Sequence, residues 1–291
     1  MTPFARWIVA LLLLFQGAAL AAPQTVRFPR PEFEGDKRFD YARQLLELAL
    51  SRTGTEYRIQ LAAVAMNQER QAVELEEGRT IDVAPIPASA EREARLLAVR
   101  IPVNRGVLGW RLGLIRRGEA DRFAHVNTLK DMQGLRIAQG QEWPDTQILG
   151  ANGIEVITAP KYEGLFDMLT GRRFDYFPRG VTEIWDELES RSGALEVEPR
   201  IVLHYHYDAY FMVNKRNTRL AQDITRGLES AIADGSFDKL FDQYFGERLR
   251  KAQLNKRVLI ELKNPLLTPG TPIDRPELWY DFRRWPAKPA K

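Results

Sequence analysis

The 291-residue chain contains no cysteine. That excludes disulfides, thiolate nucleophiles, cysteine-ligated metals and a lipid-modified N-terminal cysteine. Histidine is almost as scarce, present only as His125, His204 and His206. No Gly-x-Ser-x-Gly elbow, phosphate-binding Gly-Lys loop or His-Glu-x-x-His motif occurs, so the hydrolase, nucleotide and zinc-protease chemistries those motifs carry find no support. His204 and His206 lie two apart on a strand-like run and would share one face. With Asp208 they would offer a metal or acid–base site, but two histidines on a strand are more often hydrogen-bonded or exposed. The chain is therefore read as non-catalytic, with no metal and no cofactor.

Long apolar runs are also scarce. One is conspicuous, the nine residues Trp7 to Phe15. That is too short for a bilayer, which needs roughly 20. It follows Arg6 and precedes Ala19-Leu20-Ala21, a small-x-small cleavage pattern. Residues 1–21 are thus expected to be a secretory signal peptide, and the mature protein to be periplasmic and free of a lipid anchor.

The net charge of +3 hides an asymmetry. From Arg248 onward eleven Lys/Arg face four Asp/Glu, a tail of +7, whereas the body between Arg6 and that tail is −5. The tail lacks an amphipathic basic helix suited to a membrane surface, and no nucleic-acid partner is expected. It is read chiefly as a solvated extension, although Pro265, Pro269, Pro272, Pro276, Pro286 and Pro289 also suit an extended strap.

Periodicity sets out two similar blocks. Thr25–Phe28, Tyr57–Ala65 and Ile81–Ile86 read as strands, with helices over Tyr41–Arg52 and from Asn67 through Glu76. A second block has strands at Leu135–Ala138, Ile154–Ala159 and Phe174–Phe177. Its helices open at Pro144, at Tyr162 and near Val181. Strand-like stretches at Val107–Ile115 and Ile201–Val213 connect the blocks, and helices over Thr218–Ala233 and Phe237–Phe245 close the body. Repeated β-α-β units imply mostly parallel sheets with right-handed crossovers. The expectation is an α/β protein of two lobes, joined by a double crossover that acts as a hinge, with the ligand cleft where the strand ends meet. The segments are 22–106 for the first part of lobe 1, 107–204 for lobe 2, 205–247 for the return crossover and closing helices, and 248–291 for the basic, proline-rich extension.

Three stretches carry a family resemblance. Leu129-Lys-Asp-Met-Gln-Gly-Leu-Arg-Ile-Ala-Gln-Gly140 looks like a lobe-entry motif. Gly164-Leu-Phe-Asp-Met-Leu-Thr-Gly-Arg-Arg-Phe-Asp175 looks like a helix-and-strand motif. Ile232-Ala-Asp-Gly-Ser-Phe-Asp-Lys-Leu-Phe-Asp-Gln-Tyr-Phe245 looks like a closing helix. In this order, over roughly residues 25 to 247, they resemble the extracellular solute-binding proteins of the polar amino acid class, which have the type II periplasmic binding fold and serve ABC importers. The resemblance implies a monomer that closes on a small-molecule ligand and docks on an ABC permease. The alternatives are a sensor that docks on a membrane receptor and a periplasmic enzyme on the same fold.

Some site residues follow from the resemblance. The family's Ser/Thr-x-x-Arg, which binds the ligand α-carboxylate, is matched by Ser89-Ala-Glu-Arg92, and a guanidinium fork suits a carboxylate. The family's acidic contact to the ligand amine falls near Gly180, beside Arg179. The missing carboxylate and the added arginine imply an anionic ligand. Gln141 and Trp143 precede the helix at Pro144, whose N-terminal N–H groups would suit an anion and whose indole would stack on a planar group. Arg30 follows the first strand, where the family places an aromatic contact.

Overall fold

The structure is a computed structural model that describes residues 22–31, 39–189 and 191–283. The expected signal peptide lies outside the described residues. Among them, no helix is long and apolar enough to cross a membrane.

In the first lobe, β1 (Gln24–Arg30), α1 (Asp40–Leu50), β2 (Tyr57–Ala65), α2 (Gln68–Glu77) and β3 (Val83–Pro87) follow one another. The short helix α3 (Ala90–Arg95) then leads into β4 (Leu96–Ala98). Strands β1 and β2 pair in parallel. The Asp82 N–H donates to the Arg27 carbonyl at 2.9 Å, and Arg27 forks onto Asp82, which sets β3 beside β1. The local signals act as read: Asn67 caps α2 by accepting from the Arg70 N–H, and Gly78 ends it in the left-handed region at φ +68°.

The second lobe is built from β5 (Trp110–Arg116), α4 (Leu129–Gln133), β6 (Ile137–Gly140), α5 (Pro144–Ala151), β7 (Val156–Ala159), α6 (Tyr162–Thr170), β8 (Phe177–Gly180), α7 (Ile184–Glu189), β9 (Leu195–Val197) and β10 (Ile201–His204). Strand β5 lies between β10 and β8, antiparallel to both. The β6–β7 pair joins through Ile137 and Tyr176.

Strand β11 (Ala209–Asn214) returns to the first lobe and fits between β3 and β4, antiparallel to each. Helices α8 (Thr218–Ala233) and α9 (Ser236–Ala252) follow. The two-lobed α/β architecture with a double crossover is thus present. The run expected over Ile201–Val213 is two strands, because the chain breaks at Tyr205–Asp208 to change lobes. The Asp208 carboxylate holds that break. It accepts from the Asn104 N–H and Nδ2 at 3.0 and 2.8 Å, the Gly106 N–H at 2.5 Å and the Ala209 N–H at 2.6 Å. Both crossovers are therefore knotted at one buried group.

The strand expected at Phe174–Phe177 lies three residues later, at β8. Asp175 is the reason. Its side chain accepts from Arg116 at 2.6 Å and Arg136 at 2.9 Å, so the stretch joins a charge cluster, and its backbone makes only a single bridge to β6 through Tyr176 before β8 begins. Glu119 belongs to the same cluster. Hydrogen bonds from Arg116 and then Arg122 outweigh partial burial and hold its carboxyl down at about 2. An unfolded glutamate titrates near ~4.3, so this contribution is intact above that pH and is lost as the pH falls toward 2. We predict that Glu119→Gln lowers the melting temperature at pH 7 and that the gap from the parent shrinks by pH 2.5. A gap independent of pH would contradict this.

The C-terminal segment is not a solvated extension. Strand β12 (Val258–Glu261) pairs in parallel with β10 at the edge of the second lobe, and Leu278, Trp279 and Tyr280 are buried. The apolar residues of the tail outweigh its charge in deciding where it goes.

Candidate functional site

In lobe 1 the cleft-facing groups sit at the ends of β1 and β3. Ser89 is the N-cap of α3, its Oγ accepting from the Arg92 N–H at 3.2 Å. The Ser-x-x-Arg spacing therefore has a local role, placing Arg92 on the first turn after β3. The Arg92 side chain donates to the Pro87 carbonyl at 3.0 Å and approaches Glu69 only to 3.8 Å. Arg30 is exposed and pinned back on β2 through its Nε, which donates to the Ala62 carbonyl at 2.9 Å.

In lobe 2 the loop before α5 is organised differently from the expectation. The Gln141 N–H donates to the Ala159 carbonyl and the Trp143 N–H to the Gly140 carbonyl, both at 3.0 Å. Pro144 has no N–H. These loop N–H groups are thus already bonded within the protein, and Asp145 adds a negative charge in the first turn of α5 while its carboxylate pairs with Arg111. Trp143 lies over Gly140, where a Cβ would fall 2.5 Å from the ring, and stacks on Phe177 with 9° between planes.

Arg179 is not available to a ligand anion. Its guanidinium is buried, donates to Glu187 at 2.6–2.9 Å and to Glu183 at 3.2 Å, and stacks 4.7 Å from the Trp143 ring. The carboxylate expected to be missing near Gly180 is supplied from elsewhere. A Cβ on Gly180 would come within 2.9 Å of Glu183 Oε2, so the space left by the absent side chain is filled by Glu183 from the turn that follows. Arg179 is thus engaged by Glu187 and Glu183, and a carboxylate does stand beside Gly180.

Sequence reasoning passed over a buried cluster of Arg111, Asp145 and Tyr205, with Tyr207 two residues further along the return crossover. Arg111 on β5 pairs with Asp145 at 3.0 Å, donates from Nε to the Tyr205 hydroxyl at 2.7 Å and stands 3.9 Å from Glu183. Tyr205 also donates to Asp145. Burial opposes the charge on Arg111, but Asp145 overrides it and holds the guanidinium above its usual range. Half-buried Tyr207 lies on the return crossover. Burial first, and Asp145 next, push its phenol up to about 12, against the pull of Arg111 and Arg92. A lone arginine in the otherwise apolar run Val107–Ile115 was the one legible sign of Arg111.

The histidines lie apart from this cleft. His204 contacts Glu261 at 2.7 Å and stacks on Trp110, while His206 meets the edge of Trp279. Asp208 is turned away into the crossover knot, so the three do not assemble, and among the described residues no group of three His, Cys, Asp or Glu is placed to hold a metal.

Two α/β lobes joined by paired crossovers define the type II periplasmic binding fold. No protein-family model and no curated protein matches the chain, whereas solved structures do. The probable amino-acid ABC transporter extracellular-binding protein ytmK from Bacillus subtilis is 17% identical with a TM-score of 0.58, over 77% of this chain and 99% of that one. The L-cystine solute receptor of Neisseria gonorrhoeae, in its unliganded open conformation, is 16% identical with a TM-score of 0.53, over 78% and 94%. An ancestral arginine-binding protein bound to arginine is 17% identical with a TM-score of 0.52, over 77% and 99%. At such identities the likeness establishes the fold.

Proposed function

We infer that the chain is a periplasmic solute-binding protein whose lobes close on a small amino acid and deliver it to an ABC importer. The observation that carries this reading is that Arg92, after β3 of lobe 1, makes only one carbonyl contact and one long approach to Glu69, while the Arg111–Asp145 pair of lobe 2 sets Arg111 3.9 Å from the half-exposed Glu183. Arg92 would take the ligand carboxylate. Its contacts within the protein are one carbonyl and one long approach to Glu69, so donors remain for a planar acceptor. Glu183 would take the ammonium. Its side chain is 45% exposed, and both of its arginine contacts fall on Oε2, which leaves Oε1 to accept. The half-buried Trp143 would form the wall between them.

A thermal-shift screen tests the reading. A ligand at 100 times its dissociation constant adds about 2.7 kcal/mol, or roughly 5–10 °C for a chain of this size. We expect an amino acid to stabilise more than the keto or hydroxy acid of the same side chain. Glu183→Gln should remove that preference while leaving carboxylate binding. A dicarboxylate without an amine that stabilises best of all would contradict the zwitterion assignment.

A further inference from the structure

We propose that the C-terminal segment from β12 to Phe282 is a tether across the two lobes, which limits how far the clamp opens. It passes through three sets of anchors. The first is on lobe 2, where β12 runs from Val258 opposite Ile201 to Glu261 opposite His204. Asn152 fastens the end of that strand, accepting from the Lys263 N–H at 2.9 Å and donating to the Lys263 carbonyl at 2.7 Å.

The second set is on lobe 1. Thr268, itself buried, donates to Glu93 at 2.7 Å and accepts from Arg100 at 3.3 Å. Arg275 then forks onto Glu229 of α8 at 2.6 and 3.1 Å. The third set is on the crossover. The Tyr280 N–H donates to the Arg105 carbonyl at 2.6 Å, and Arg105 Nη1 donates to the Glu277 carbonyl at 2.8 Å. Trp279 lies against Gly106, where a Cβ would enter its ring, and Trp110 meets the edges of Tyr280 and Phe282.

Two features turn these contacts into a mechanical statement. The first is length. From Lys263 on lobe 2 to Thr268 on lobe 1 there are five residues, which span at most about 18 Å when fully extended. In place they are shortened by a turn in which Asn264 Oδ1 accepts from the Leu266 N–H and the Asn264 carbonyl from the Leu267 N–H. Opening must unwind that turn, and beyond its reach must break the Asn152 or Thr268 anchor. The second is the backbone at the crossover. Arg105, a non-glycine residue, sits at φ 52° next to Gly106 at φ 74°. A left-handed arginine persists only where its surroundings hold it, and the tail supplies part of that hold at both its carbonyl and its guanidinium.

The tether also touches the neighbours of Arg92 and Tyr207. Thr268 binds Glu93, next to Arg92, and Asn264 Nδ2 donates to the carbonyl of His206, next to Tyr207, at 2.8 Å. Motion of the tail and motion of the site are therefore linked through two adjacent peptide units.

The absence of native cysteine makes the test direct, because two introduced cysteines carry the only labels. Gln68→Cys on lobe 1 and Lys161→Cys on lobe 2 are exposed positions for spin labels, read by double electron–electron resonance without ligand. The native tail should give one narrow distance distribution. Inserting Gly-Ser-Gly-Ser-Gly-Ser between Leu266 and Leu267, a segment spanning about 13 Å, should broaden it and lengthen the mean by about 5 Å or more. Thr268→Val, which removes the lobe-1 hydroxyl anchor in the intact chain, should shift it the same way by less, and it provides the readout should the insertion not fold. A distribution unchanged by the loosened tail would overturn the tether. No ligand enters this measurement, so its outcome is independent of the assigned ligand class.

Discussion

Arg92→Ala should abolish the ligand-induced thermal shift and leave the ligand-free protein folded. Truncating one partner of a desolvated charge pair costs about 2–5 kcal/mol, so affinity should fall by roughly thirtyfold to several-thousandfold. The same substitution should move ligand-free stability by less than about 1 kcal/mol. Its contacts in the free protein are the Pro87 carbonyl and a 3.8 Å approach to Glu69. The neighbouring Arg95 carries the tighter ion pair of that helix, with Glu76 at 2.7 Å. Arg92→Lys should recover little, because an ammonium lacks the planar fork. Titration calorimetry with the best amino acid from the screen gives the affinity, and melting of the free variant gives the stability. An unchanged affinity would remove Arg92 from the site.

Gly109→Ala should be the most damaging single-methyl substitution at the hinge. Gly109 ends the outgoing crossover, and its carbonyl accepts from the Tyr205 N–H of the return crossover at 3.2 Å. A Cβ there would be driven into the Tyr205 carbonyl oxygen, with the Tyr207 N–H close behind. The obstacle is backbone held between two sheets, which cannot swing aside as a side chain can. Overpacking of this kind costs about 3 kcal/mol, or a fall of roughly 6–12 °C in melting temperature. Gly150→Ala is the matched control. It lies in α5 with nothing within 4 Å of the added methyl, so it should be neutral or stabilising by up to about 1 kcal/mol. Equal melting temperatures for the two variants would contradict the close approach of the crossovers.

What was legible in the sequence was local. Asn67 and Gly78 delimit α2 because caps act within a few residues, and the β-α-β order survives because period and turn chemistry are short-range signals. What failed needed partners distant in sequence. Phe174–Phe177 carries a strand's composition, but Asp175 is claimed by Arg116 and Arg136, and only an isolated bridge at Tyr176 precedes β8. Arg179 looked like a second anion anchor until Glu187 and Glu183 consumed its donors. The N-terminus of α5 looked like an anion cradle, but Pro144 lacks a donor, the Gln141 and Trp143 N–H groups bond within the protein, and Asp145 puts a carboxylate in the first turn.

The tail shows the same limit from the other side. Its charge pointed to solvent, while its prolines suited a strap, and Leu278, Trp279 and Tyr280 pack at the crossover, because three large apolar groups gain more from burial than the flanking charges lose. Nothing near those residues in sequence announces the surface they meet. Glu183 escaped notice for a related reason. A family pattern fixes the position of a side chain, whereas a ligand senses only where the carboxylate ends up.

The central claim is that both lobes grip one small amino acid at the crossover. A crystal structure with the most stabilising amino acid tests it most directly. The account predicts ligand density touching Arg92 of lobe 1 and the Gly180–Glu183 turn of lobe 2, with Tyr207 beneath it. Density bound elsewhere, or a gap filled by Tyr207 and Trp143 with no ligand between the lobes, would contradict it.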